Sequence, residues 1–118
     1  MEFFIQDHNL SRQAPEDVRI EDLRVEPYPD GRRVRVALTL TPFQQRPTIE
    51  LTLANEAGAE VGSASIIEPV AWKLEMTLHI HQADNPVSGE MTLKACVMYP
   101  EMEMEVDQRT LSFQMTGN

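Results

Sequence analysis

A chain of 118 residues with 42% apolar and 25% charged side chains has room for one buried core and too little length for two. Its net charge of −9 excludes a phosphate backbone or an anionic membrane as the natural partner, since both require a positive surface, and leaves a basic or neutral protein as the better match. The lone cysteine, Cys96, excludes an internal disulfide, no apolar run is long enough to span a bilayer, and residues 1–8 lack the features of a secretory leader, so the expected location is the cytoplasm.

Residues 1–17 read as an N-terminal arm: Phe3, Phe4 and Ile5 form an apolar knot in an otherwise polar tail. Leaving that knot in water is costly, so it is a candidate for adding a strand to its own sheet or to a second copy. The domain proper is expected over 18–118. Residues 18–27 place Val18 and Ile20 on one parity and Leu23 and Val25 on the other, a phase slip at Glu21-Asp22 that a β-bulge in a kinked edge strand supplies. After the turn Pro29-Asp30-Gly31, Val34, Val36, Leu38 and Leu40 alternate with Arg33, Arg35, Ala37 and Thr39, a strand with one buried face that stops at Pro42. The proline-bracketed segment 41–47 is too stiff for a tight hairpin and is expected to cross from one sheet to the other.

Ile49, Leu51 and Leu53 mark a third strand, followed by a turn at 55–58 in which Gly58 takes positive φ. Residues 61–67 return as a fourth, rich in small side chains and therefore expected at a sheet edge. Trp72, Leu74, Met76, Leu78 and Ile80 alternate with polar residues in a fifth, with Trp72 sealing one end of the core. A polar loop over 82–88 leads to a sixth strand with Met91, Leu93, Ala95, Val97 and Tyr99 inward. Leu111, Phe113 and Met115 close the set, while Met102, Met104 and Val106 lie on the other parity, which demands a second slip near Asp107-Gln108. Seven strands and no helix predict an all-β, seven-stranded antiparallel, immunoglobulin-like β-sandwich, with Val34, Val36, Leu38, Ile49, Leu51, Leu74, Leu78, Leu93, Val97, Leu111 and Phe113 in its core.

Two stretches resemble the bacterial immunoglobulin-like and fibronectin type III-like domains. Residues 53–61 are similar to their hairpin pattern L-x-D-x-x-G-x-x-V, with Asn55 in place of Asp, and residues 89–95 to their penultimate strand G-x-Y-x-L-x-A, with Met91 in place of the tyrosine. The resemblance implies strand order A-B-E in one sheet and C′-C-F-G in the other. It implies no activity, because such sandwiches serve adhesion, carbohydrate-binding, spacer and receptor roles alike.

Catalysis finds no support in the residues: there is no G-x-S-x-G elbow and no glycine-rich phosphate loop, and Cys96 faces outward on a strand without a helix N-terminus to activate it. No enzyme, no cofactor and no metal are expected. The alternative is a soft-metal role, since the seven methionines with His79, His81 and Cys96 are ligand types that select copper(I), but His79 and His81 belong to the opposite end of the strands from Met98, Met102 and Met104. The principal expectation is a non-catalytic interaction or structural module. Loops 41–47, 68–71 and 100–106 each follow a strand of the same direction and should share one end. There they would gather Phe43, Arg46, Pro69, Val70, Glu101, Met102, Glu103 and Met104 into an apolar centre with a charged rim. Self-association as a homodimer, through the arm or through an edge strand, is expected alongside.

Overall fold

The computed structural model of the protein describes residues 12–81 and 88–116. The Phe3-Phe4-Ile5 arm and nearly all of the 82–88 loop lie outside them. Seven strands, β1 (Ile20–Pro27), β2 (Arg33–Leu40), β3 (Thr48–Ala54), β4 (Glu60–Ile67), β5 (Lys73–His79), β6 (Ser88–Tyr99) and β7 (Met104–Thr116), form two antiparallel sheets. One has the order β1-β2-β5 and the other β4-β3-β6-β7, the two orders that the resemblance implies. The 41–47 segment carries the chain from the first sheet to the second, β4 sits at an edge, and β1 lies against β7 while β5 lies against β4.

Alternation decides which side chains fill the space between the sheets. Val34, Val36, Leu38 and Leu40 of β2 face Ile49, Leu51 and Leu53 of β3 and Met91, Leu93, Ala95 and Val97 of β6, all buried. These are the central strands, with neighbours on both sides. Three residues expected in the core, Leu74, Leu111 and Phe113, are only half-buried, because β5 and β7 are edges that are covered on one side.

Both phase slips are bulges. Ile20 pairs with Leu40 and Asp22 with Thr39, which leaves Glu21 unpaired in β1. Val97 pairs with Asp107 and Met98 with Glu105, which leaves Val106 unpaired and lets β7 start at Met104, seven residues before the strand expected at Leu111. The two bulges meet. Asp107, half-buried, and Arg109, exposed, reach from β7 across to the start of β1, where the Ile20 N–H donates to Asp107 Oδ2 at 2.8 Å and Arg109 donates to the Ile20 carbonyl at 2.7 Å. Two charged side chains thus do for Ile20 what a neighbouring strand would do, and they close the sandwich along that seam.

The turns follow their residues. Asn55 Oδ1 accepts from the N–H groups of Ala57 and Ala59, a role open equally to the Asp of the resembled pattern, and Gly58 takes φ 84°. Asp30 accepts from the Arg32 N–H and the Arg33 side chain, which hold its carboxyl below the usual carboxylate range. Residues 12–17, upstream of the expected domain start at 18, are tied to the crossing loop: Gln13 N–H donates to the Pro42 carbonyl and Gln44 N–H to the Gln13 carbonyl, each at 2.9 Å.

Candidate functional site at the loop end

Strands β2, β4 and β6 run toward the same end, so the segments that follow them emerge together. Hydrogen bonds knit them into one surface. The Tyr99 hydroxyl donates to the Gln45 carbonyl at 2.7 Å, and Gln45 Nε2 donates to Glu101 Oε2 at 3.0 Å. The Glu68 N–H donates to the Pro47 carbonyl at 3.0 Å and the Leu40 N–H to the Trp72 carbonyl at 2.8 Å. Burial, with the Glu101 carboxylate adding to it, pushes the Tyr99 hydroxyl up to about 12, so it remains a proton donor to Gln45.

The residues expected to form the patch divide into two groups. Phe43 does not belong to the surface: at 5% exposure it is a core residue, edge-on to Trp72 with ring centroids 6.1 Å apart. The physical reason is the bridge between Gln13 and Phe43, which fastens the crossing loop down over the core end and turns the ring inward. Met104 is half-buried and packs on the core, and Pro69 is half-buried. Trp72 is half-buried beside Phe43, with the Arg12 guanidinium 5.9 Å from its ring centroid. Arg46, Val70, Glu101, Met102 and Glu103 are exposed.

A further residue joins them. Among the described residues the large apolar side chains left exposed are Ile67 (72%), Val70 (79%) and Met102 (43%), and all three are at this end. Ile67 was legible as the odd member of Ile66-Ile67: in an alternating strand two adjacent isoleucines cannot both face the core. Register extends the patch. Ile67 is opposite Thr48, Thr48 is opposite Met98, and Met98 is opposite Glu105, so these four side chains form one row across the outer face of the four-stranded sheet, from exposed Ile67 over buried Thr48 and half-buried Met98 to the charge of Glu105. At about 4.8 Å per strand, that row spans on the order of 14 Å.

Glu68 and Glu103 stand out in the backbone. They have φ of 52° and 51°, the two non-glycine residues in the left-handed region among those described. Each directly follows an exposed apolar residue, Ile67 or Met102. A non-glycine residue held there costs on the order of 1 kcal/mol or more, and such positions concentrate at binding and switch sites. With Glu101, and with Glu105 at the far end of the row, they frame the exposed Ile67, Val70 and Met102 in negative charge, to which Arg46 adds one cation.

Elsewhere the described residues assemble little chemistry. Cys96 lies 3.8 Å from Gln108 Oε1, and burial together with the Glu105 charge pushes its thiol up, which disfavours the reactive thiolate. His79, opposite Arg33 at the far end of β2, and His81 beyond it are at the other end of the sandwich from Met98, Met102 and Met104. Shallow depressions on the outer face of β1-β2-β5 are walled by ions already paired with each other, Arg24 with Asp22 and Arg35 with Glu75. No helix among the described residues is long and apolar enough to cross a membrane.

No protein-family model matches the chain, and no curated protein matches it. Solved structures do share the fold. A β-glucuronidase from Bifidobacterium dentium aligns with TM-score 0.65 and 14% identity, over 84% of this chain and 18% of that one. A glycosyl hydrolase family 2 member from Bacteroides cellulosilyticus aligns with TM-score 0.61 and 12% identity, over 83% and 14%. The β-glucuronidase of Ruminococcus gnavus gives 0.54 and 13%, over 84% and 16%. The chain therefore spans less than a fifth of the length of each of these proteins. At such identities the likeness is one of fold.

Proposed function

We propose that the protein is a non-catalytic β-sandwich module, of the immunoglobulin-like kind, that holds a protein partner at its loop end. The observation that carries this reading is the convergence of Ile67, Val70 and Met102, exposed, on one end of a domain whose other described large apolar side chains are buried wholly or in part. Exposed apolar side chains rimmed by charge have the composition of an interaction patch. The glutamates around it favour a partner segment that is basic or neutral and exclude an acidic one by like-charge juxtaposition. The raised thiol of Cys96 and the separation of the histidines from the methionines support a binding role over a catalytic or copper-carrying one.

The test is co-precipitation from the native cell with tagged wild type and with a Val70→Ser, Met102→Ser double variant. Both side chains are exposed, so the variant should keep the wild-type circular dichroism and melting temperature while losing the specific copurifying protein. Equal recovery of that protein by the double variant refutes the patch.

A further inference from the structure

Among the described residues the sandwich has four edge strands, and three are guarded along their length against pairing with another chain. β1 has its bulge at Glu21, a proline at its end and the charges Asp22, Arg24 and Glu26. β7 has its bulge at Val106 and the charges Asp107 and Arg109 clamped onto Ile20 of β1. β5 alternates Lys73 and Glu75 along its exposed face. β4 keeps its guards at its two ends, a bulge at Val61 beside Glu60 and Glu68-Pro69 after Ile67; between them, from Gly62 to Ile67, it carries no charge, no proline and no bulge.

The geometry of that edge is defined. Glu68 N–H is bonded to the Pro47 carbonyl, and the register continues as Ile49 opposite Ile66, Leu51 opposite Ala64 and Leu53 opposite Gly62. Antiparallel alternation therefore turns the backbone groups of Gly62, Ala64 and Ile66 toward β3, and the N–H and C=O of Ser63, Ser65 and Ile67 outward. Among the described residues this outward stretch is unpaired, and it is bounded at both ends. The Val61 carbonyl already accepts from the His81 N–H at 2.7 Å, and Glu68, at φ 52°, turns the chain away.

We infer that β4 pairs antiparallel with β4 of a second copy, with Ser65 opposite Ser65 of that copy, so that the two four-stranded sheets join edge to edge. The occupant is set by self-complementarity. A two-fold axis at Ser65 maps the outward set onto itself: Ser63 meets Ile67 of the second copy, and every outward N–H and C=O finds a partner without disturbing one already bonded. The same register sets Ala64 beside Ile66 on the inner side, and because Glu68 turns the chain away, the paired stretch 63–67 holds no charge. Edge addition extends the sheet sideways and leaves its outer face free, so Met102, which follows β6, stays clear of this contact, while Ile67 belongs to both and Val70 lies just beyond the paired stretch. Because each copy carries a net charge of −9, salt should strengthen the pairing by screening the repulsion.

Sedimentation velocity of the full chain across a range of concentrations, at physiological and at 0.5 M salt, tests this with two variants. Ser65→Lys sets ammonium against ammonium across the axis, and Ser65→Pro removes an N–H that points outward and so spares the bond to β3. The expected result is a concentration-dependent dimer, tighter at high salt, whose dissociation constant rises about tenfold or more in Ser65→Lys and comparably in Ser65→Pro. A wild type that stays monomeric throughout, or a dimer that both variants leave unchanged, overturns the inference. Neither variant alters Val70 or Met102, so failure here and failure of the partner patch are read separately.

Discussion

Removing the Asp107 carboxylate should loosen the seam between the sheets more than its half-buried position suggests. Asp107 Oδ2 is the acceptor for the Ile20 N–H, and Ile20 is 3% exposed, so water cannot readily replace the lost oxygen. Hydrogen bonds to charged groups contribute about 1.5 to 3 kcal/mol, and a buried donor left unsatisfied costs a similar amount, so Asp107→Ala should destabilise the domain by about 1.5 to 3 kcal/mol. Urea unfolding followed by Trp72 fluorescence is the assay. With an m-value of about 1.5 kcal/mol per molar, typical of a domain this size, the midpoint should fall by about 1 to 2 M. Asp107→Asn retains an acceptor oxygen and should lose about half as much. Since Arg109 grips the carbonyl of the same residue, the Asp107→Ala, Arg109→Ala pair should be non-additive by about 0.5 kcal/mol or more. A midpoint shift below about 0.3 M for Asp107→Ala would mean that the packing of Val18 and Ile20 alone fixes β1, and the reasoning would fail.

Leu93 is fully buried between Leu53 and Leu111 across the sheet, so Leu93→Ala should cost about 2 to 5 kcal/mol in the same unfolding assay; a cost near zero would mean β6 is out of phase. Tyr99 has its hydroxyl pushed up to about 12 from an ordinary 10, so the folded state holds that proton more tightly than the unfolded chain. Its contribution is therefore fully present below pH 10 and lost as pH rises from 10 through 12. Unfolding midpoints measured across that range should fall, and fall less in Tyr99→Phe; identical slopes would contradict the assignment. Gly62 has no room for a side chain: an added Cβ would meet the His79 carbonyl oxygen at 2.9 Å, so Gly62→Ala should destabilise by about 1 to 3 kcal/mol despite alanine's lower backbone entropy cost. A variant as stable as wild type would show that β5 gives way at no cost.

The sequence is readable where burial follows a local period. Alternation in residues 33–40 and 89–99 identifies the central strands because those strands are covered evenly along their length, and the parity breaks read at Glu21-Asp22 and near Asp107-Gln108 are bulges, which fall at Glu21 and Val106. Chain direction alone places the three loops at one end. The burial of Phe43 is not local: an aromatic residue between two prolines reads the same whether it faces water or core, and the bridge from Gln13 that decides the matter comes from thirty residues upstream. The Asp107 and Arg109 clamp is likewise invisible to periodicity, since it joins residues 87 and 89 positions apart. The β7 start at Met104 was hidden by its own bulge, which reverses the parity of Met104 relative to Leu111. Ile67 was within reach of alternation, and reading Ile66-Ile67 as a pair of opposite faces would have added it to the patch.

The measurement that bears most directly on the binding role is site-specific photo-crosslinking in the native cell, with a photoreactive amino acid replacing Met102 in one variant and Glu56, an exposed residue at the opposite end, in another. The loop-end reading predicts a discrete crosslinked protein from position 102 and none from position 56. A crosslink from position 56 alone, or none from position 102 in a folded and expressed variant, would contradict it.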